Sequence, residues 1–124
     1  DQIFSFVKGG QEVSIRFVRE LHEVLLRHQD TYEVVDQEKN RTKLPLARGD
    51  FKEWPNNPTR LDGSEHEYCP VPLVHVEMNG LIEKHGVHNR GGVPPEITAA
   101  WLHHRFTQIH PFADGNGRVV RALA

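Results

Sequence analysis

Apolar residues recur at every fourth position along residues 12–28, near the start of the chain. Charged side chains occupy positions between them. This spacing is typical of an amphipathic helix with one buried face. The pattern predicts a first helix here, with Gly9 and Gly10 forming the loop before it. Its apolar row consists of Val13, Phe17, Leu21 and Leu25.

A second helix is predicted over residues 72–84, where Pro72 suits the first turn. Residues 118–124 have the composition of another, shorter helix. Because so short a helix is marginal by itself, we expect it to continue beyond residue 124. The apolar face of the second helix consists of Val74, Met78, Leu81 and Ile82.

A third helix is predicted between Pro94 and Ile109, where the apolar residues follow a period of about 3.6. Pro111 disfavours helical dihedral angles at His110, so we expect the helix to end there. Its apolar row is Ile97, Trp101, Leu102, Phe106 and Ile109.

Residues 29–71 show no helical period and contain several prolines. Turn-forming residues occupy positions 55–58, and Asp62-Gly63 marks a second turn. We therefore expect a small, irregular β-hairpin in this stretch. The expected fold is mainly α, a single domain over 1–124 in which a helical bundle carries a small hairpin.

Composition fits one globular domain and excludes some classes of protein. The 124 residues are 37% hydrophobic and carry a formal net charge of −2, without the basic surface of nucleic-acid binders. No apolar run approaches the ~20 residues that span a bilayer, so no membrane partner is expected. The single cysteine, Cys69, fits a reducing compartment, and a cytoplasmic location is expected. Since the only methionine is Met78, we expect that Asp1 is not a translation start, and the short last helix indicates a cut at the other end as well.

The segment HPFADGNGRVVR, residues 110–121, carries most of the potential chemistry. It joins the predicted end of one helix to the start of the next. Its Gly-Asn-Gly run at 115–117 permits positive φ and close backbone approach. Successive N–H groups in such a turn, followed by a helix N-terminus, attract anions. Arg118 and Arg121 lie three apart, so both can reach the first turn. A polyphosphate is the natural ligand.

Two further residues of this segment could complete a site for phosphoryl or nucleotidyl transfer. Mg²⁺ takes one or two protein carboxylates beside water and phosphate oxygens, and Asp114 suits that role. An imidazole such as that of His110 can accept a proton from an attacking hydroxyl. Asn116, in contrast, could either bind phosphate or supply only the backbone geometry of the turn.

The same segment resembles the motif of the Fic family, His-x-Phe-x-(Asp/Glu)-Gly-Asn-(Gly/Lys)-Arg-x-x-Arg, at every defined position. Residues 99–106 are similar, more weakly, to the helix that leads into the family motif. The similarity as a whole extends over residues 12–124. The resemblance implies a Fic-like helical bundle and a protein adenylyltransferase. Such an enzyme transfers AMP from ATP, with Mg²⁺, to a Tyr, Thr or Ser hydroxyl of a target protein.

The resemblance also implies a role for each residue of the motif. His110 would deprotonate the target hydroxyl, Asp114 would bind Mg²⁺, and Phe112 would anchor the loop in the core. The nucleotide phosphates would be bound by Gly115, Asn116, Gly117, Arg118 and Arg121.

Residues 49–52, Gly-Asp-Phe-Lys, resemble the start of the family's flap, a β-hairpin over the active-site loop. Lys52 replaces the commoner Arg. The resemblance implies that the flap docks the target protein by strand pairing. The candidate contacts are Phe51, Lys52 and Trp54.

Many members of the family carry an inhibitory helix with the pattern (Ser/Thr)-x-x-x-Glu-(Gly/Asn). No Ser or Thr of this chain has Glu four positions later, so an inhibitory helix or antitoxin would lie outside it. Two alternatives remain open: a related reaction (removal of AMP, or transfer of phosphate or phosphocholine) and a nucleotide-binding interaction module. His110 argues against the module, which would need no base.

Overall fold

The computed structural model describes residues 13–35, 38–58 and 61–123, so Gly9 and Gly10 lie outside the described chain. The described residues are mainly helical and include a small antiparallel hairpin, as the sequence predicts. The elements are α1 (Ile15–Leu25), β1 (Thr31–Val35), β2 (Arg41–Pro45), a 3₁₀ turn (Val71–Leu73), α2 (Val74–Arg90), α3 (Pro95–Ile109) and α4 (Asn116–Leu123).

Helix α1 begins after Ser14, whose hydroxyl accepts a hydrogen bond from the Phe17 N–H at 3.1 Å. This cap satisfies one of the first-turn amides that have no partner within the helix. The helix ends at Leu25, earlier than the apolar pattern predicts. The chain turns immediately afterwards, because the Gln29 N–H donates to the Leu26 carbonyl at 2.9 Å.

Helix α2 is longer than the sequence predicts, since it continues through Gly86 to Arg90. A glycine inside a helix costs about 1 kcal/mol relative to alanine. Gly86 is buried, and a Cβ at that position would lie 3.0 Å from the Arg90 guanidinium. The glycine therefore leaves room for the Arg90 side chain. Helix α3 has the predicted bounds.

The core lies among the four helices of the described chain. Helix α2 packs on α3, α3 packs on α4, and α1 packs on both α2 and α4. Two loop residues, Phe51 and Phe112, join this core and hold their loops from inside. Among the described residues, no helix has the length and apolar composition needed to cross a bilayer. The helical core residues are Val18, Leu21, Val74, Met78, Leu81, Leu102, Phe106, Ile109, Val119 and Val120.

The hairpin lies within the stretch 29–71, as predicted, but not at Gly49. Strands β1 and β2 pair antiparallel, with Thr31 opposite Pro45 and Val35 opposite Arg41. All five residues of β2 are exposed, so β2 has no apolar alternation by which a sequence pattern could locate it. Strand β1 is half-buried at Tyr32 and Val34.

The segment after Gly49 runs against the core and then doubles back, without a described strand. The His66 N–H donates to the Pro58 carbonyl at 2.9 Å. The predicted turn at Asp62-Gly63 is confirmed, because Asp62 accepts hydrogen bonds from the N–H and hydroxyl of Ser64. This segment therefore forms an irregular wall beside the loop that follows α3.

Candidate active site

The loop between α3 and α4 is fixed by backbone geometry at both ends. His110 caps α3 in the left-handed conformation, with φ 51° and ψ 59°, which confirms that the helix stops before Pro111. At the other end Gly115 is buried and has φ 83°. A Cβ at Gly115 would overlap the Leu26 Cδ1 methyl. Glycine is therefore required here both for its positive φ and for close packing on the end of α1.

Asn116 ties the loop to itself. Its Oδ1 accepts a hydrogen bond from the Phe112 N–H at 2.9 Å, and its Nδ2 donates to the Phe112 carbonyl at 2.7 Å. Phe112 is fully buried and packs against Phe51 and Phe106, so it anchors the loop as the resemblance implies. Since the Asn116 amide is occupied by the loop, Asn116 has its backbone N–H left to offer an anion.

His22 of α1, which the sequence analysis did not single out, supports the same loop. Its ring is fully buried and stacks on Phe112 with centroids 3.8 Å apart. Its Nδ1 accepts from the Gly49 N–H at 2.9 Å, so Nε2 carries the proton and donates to the Asp114 carbonyl at 2.9 Å. Burial lowers the pKa of His22, which agrees with a neutral ring. No spacing rule relates two positions so far apart in the chain.

His110 lines a cleft of about 690 Å³ between β1 and residues 54–58. Its Nδ1 is buried and accepts or donates no hydrogen bond among the described residues, so Nε2 is the ring nitrogen that can serve the cleft. Burial and then the nearby Lys52 ammonium lower the pKa of His110 to about 4, against the opposite effect of the Asp114 carboxylate. His110 is therefore unprotonated at neutral pH and can accept a proton.

Asp114 and Arg118 are joined through Gln29, a second residue that the sequence analysis missed. Gln29 Nε2 donates to Asp114 Oδ2 at 2.7 Å, while Gln29 Oε1 accepts from the Arg118 guanidinium at 2.7 Å. Arg118 lies 3.9 Å from the same Asp114 oxygen. The amide of Gln29 thus holds a carboxylate and a cation side by side.

The start of α4 collects positive charge. Its first-turn N–H groups have no carbonyl partner within the helix and carry the positive end of the helix dipole. The Arg121 side chain folds back over this turn. Its Nη1 lies 2.9 Å from the position that a Cβ on Gly117 would occupy. The structure therefore brings Arg118 and Arg121 to the same turn, as their spacing predicts.

Asp114 suits a magnesium ion whose other ligands are water and phosphate oxygens. Its side chain is 46% exposed, so its carboxylate can reach an ion in solvent. Within the described ranges, no cluster of three or more His, Cys, Asp or Glu could hold a metal alone. A single carboxylate, completed by water and phosphate oxygens, is a donor set that Mg²⁺ accepts.

Of the three candidate docking residues of the predicted flap, two are buried and one is exposed. Phe51 is 8% exposed and Lys52 4% exposed, so the structure buries two of the three residues for which contact with a target protein is predicted. The physical reason is that Phe51 fills the core beside Phe112, while the Lys52 N–H bonds the Pro111 carbonyl at 2.8 Å. Trp54, in contrast, is 69% exposed and lines the cleft.

Similar sequences are found in an amoeba and in two species of Drosophila. A Fido domain-containing protein of Dictyostelium discoideum is 45% identical over 53 residues, which are 42% of this chain and 37% of that protein. Two proteins named protein adenylyltransferase Fic, from Drosophila persimilis and Drosophila pseudoobscura pseudoobscura, are each 28% identical over 116 residues. Those residues are 90% of this chain and 18% of each Drosophila protein.

The fold is also similar to that of a solved structure. The crystal structure of a Fic domain containing signaling protein from Bacteroides thetaiotaomicron VPI-5482 superposes with a TM-score of 0.73 at 27% identity, over 90% of this chain and 37% of that one. The chain thus spans between 18% and 37% of the length of these relatives. The sequence model of the Fic/DOC family matches residues 12–124, and the chain belongs to that family.

Proposed function

We propose that this protein is an adenylyltransferase that transfers AMP from ATP to a hydroxyl side chain of a target protein. The observation that carries the proposal is the pairing of a neutral histidine with an anion site in one short loop. His110 lines the cleft with its pKa lowered to about 4. Arg118 and Arg121 reach the first turn of α4 at the other end of that loop. A base beside an anion site suits transfer of a phosphorus group.

In the proposed reaction, His110 Nε2 accepts the proton of a Tyr, Thr or Ser hydroxyl. The hydroxyl oxygen forms a bond to the α-phosphorus of ATP, and the bond from that phosphorus to the oxygen bridging to the β-phosphate breaks. The electron pair leaves with pyrophosphate, and the proton passes from His110 to solvent. Because the imidazole is already unprotonated at neutral pH, no prior proton loss is required.

The residues at the start of α4 would stabilise the negative charge of the phosphates. The N–H groups of Asn116 and Gly117 lie in the first turn, where anions are favoured. Arg118 and Arg121 would pair with the leaving pyrophosphate. Asp114 would hold Mg²⁺, which when bound neutralises charge on the phosphate oxygens.

The cleft between β1 and Trp54 suits an extended segment of the target. The Leu46 N–H bonds the Asp30 carbonyl at 2.9 Å, and hydrogen-bonded pairs alternate along an antiparallel ladder. The backbone groups of Glu33 and Val35 therefore point away from β2. Among the described residues, β2 is the only strand that pairs with β1. Because β1 lines the cleft, we propose that a target strand pairs with its outer edge.

The test is incubation of the full-length protein and a cell extract with Mg²⁺ and ATP labelled separately at the α- and γ-phosphorus. Protein labelled from the α-position alone is the expected result. Label from the γ-position would instead indicate phosphate transfer. ATP binding without any label would indicate a binding module, and either result would refute the proposal.

His110→Ala is expected to remove all detectable label, because a general base contributes about 10²–10⁴-fold in rate. His104→Ala is the matched control, since His104 is an exposed histidine of α3 outside the loop, and it should label like wild type. Label from His110→Ala at the wild-type rate would show that another group takes the proton.

A further inference from the structure

Lys52 is a charged side chain enclosed directly behind His110. It is 4% exposed. Its Nζ donates to Asn56 Oδ1 at 2.8 Å and to the Ile109 carbonyl at 3.5 Å, while its N–H donates to the Pro111 carbonyl at 2.8 Å. Both partners of Nζ are acceptors, which matches a protonated ammonium. Lys52 is thus bonded to the residues on each side of His110.

Tyr68 stacks on the imidazole ring of His110. The two rings stack with centroids 4.0 Å apart and an interplanar angle of 5°. The Tyr68 N–H donates to Asn57 Oδ1 at 2.9 Å, and the Lys52 Nζ lies 6.0 Å from the centre of the Tyr68 ring. The amide of Asn56 also donates to the Phe112 carbonyl at 2.9 Å. The segment that encloses His110 is therefore bonded to the catalytic loop at several points.

We propose that Lys52 and Tyr68 are positioning residues, which keep the His110 imidazole neutral and hold its plane toward the cleft. An ammonium close to an imidazole opposes a second positive charge, and a stacked ring excludes water from one face. The proposal rests on the proposed function only in taking His110 as the base. It gives a role to Lys52, which is buried, and to Tyr68, which is half-buried.

The charged and titratable groups around His110 have opposing effects, and the balance favours the neutral ring. Burial and the Lys52 ammonium lower the pKa of His110, and His66 lowers it further. The Asp114 carboxylate and the Thr107 carbonyl raise it. Since Lys52 is the largest contribution after burial, removal of its charge should be measurable at His110.

The test is a histidine NMR titration of the full-length protein, with the His110 signal assigned by its loss in His110→Ala. In Lys52→Met the pKa of His110 is expected to rise by about one unit. Lys52→Arg keeps a cation and should leave it near the wild-type value. Lys84→Met is the matched control, because Lys84 lies 5.7 Å from the ring of Trp101, on another part of the molecule. It should change nothing at His110.

The rate of AMP transfer supplies a second readout. The acid limb of the profile of kcat/KM against pH should move to higher pH in Lys52→Met by the same amount, because that limb reports the free base. Tyr68→Phe keeps the stacked ring and should behave like wild type. Tyr68→Ala should raise the pKa of His110 and lower kcat, with the affinity for ATP unchanged.

An unchanged His110 pKa in folded Lys52→Met would overturn the inference. If that variant is unstable, Lys52→Gln, which can still donate to Asn56, serves the same comparison. The titration needs no substrate, so the two proposals fail separately. A protein that shows the expected titrations but transfers no AMP would refute the proposed function and leave this inference standing.

Discussion

Gly115 constrains the shape of the loop between α3 and α4, because its backbone conformation and its packing on Leu26 both require glycine. Alanine there would be strained at φ 83° and would overlap Leu26. Left-handed backbone costs a non-glycine residue about 1–2 kcal/mol, and overpacking costs about 1–3 kcal/mol. We expect Gly115→Ala to lower the free energy of unfolding by about 2–5 kcal/mol, measured by urea denaturation, and to weaken ATP binding.

The matched control for this substitution is Gly63→Ala. Gly63 has φ 87°, and no atom lies within 4 Å of where its Cβ would be. It should therefore show the backbone cost alone, about 1–2 kcal/mol. Equal destabilisation of the two variants would mean that contact between Gly115 and Leu26 does not constrain the loop.

At the residue scale, spacing in the sequence indicated which residues form the site but not what every side chain does. The positions of His110, Arg118 and Arg121 follow from one local motif, and the structure brings Arg118 and Arg121 to one helix turn. The amide of Asn116 bonds Phe112 instead of remaining free. Its alternative role, in the geometry of the loop, was open from the sequence because asparagine suits both.

At the element scale, the helices were predictable with their approximate bounds, whereas the hairpin was predictable only as present somewhere within residues 29–71. The helices bury one apolar face, so their period appears in the sequence. Strand β2 is exposed at all five residues, so no apolar pattern in its sequence marks its position. The flap is predicted after Gly49 because residues 49–52 resemble the start of the family's flap. Its burial depends on contacts with residues near position 112, which no local pattern records.

The outer edge of β1 gives a test of the proposed target binding. The N–H of Glu33 points away from β2, so Glu33→Pro removes a donor to a target strand and keeps every backbone hydrogen bond of the hairpin. It also removes the exposed ion pair between Glu33 and Arg41, which contributes little to stability. We expect KM for the protein target to rise several-fold, up to about tenfold, for one lost hydrogen bond. Binding of ATP, measured by calorimetry, should not change.

Lys43→Pro is the control for the strand edge. Lys43 pairs with Glu33 across the hairpin, so its N–H points outward from the opposite edge. It should leave KM at the wild-type value. If both prolines raise KM equally, the effect comes from distortion of the hairpin, and the target does not pair with β1.

At the scale of the whole molecule, the site depends on contacts between distant parts of the chain. His22 connects α1, Gly49 and the Asp114 carbonyl, and Gln29 bonds both Asp114 and Arg118. These two residues were missed because their partners Asp114 and Arg118 lie 85 to 92 positions away. One hint was available: His22 falls beside Leu21 on the predicted helix, where a buried polar side chain needs partners.

His22 and His110 make the stability of the fold depend on pH. Burial lowers the pKa of both His22 and His110, the latter to about 4, from an ordinary value of 6.5. At pH values below 6.5 the unfolded chain binds protons at these histidines that the folded chain does not bind. Their contribution to the free energy of unfolding is therefore complete above pH 6.5 and is lost as the pH drops toward 4. Urea denaturation at pH 7 and pH 5 should show this loss. His22→Gln and His110→Asn should each reduce the difference between the two pH values, whereas the exposed His104→Ala should keep it. A pH difference that survives both substitutions would mean that other groups govern acid unfolding.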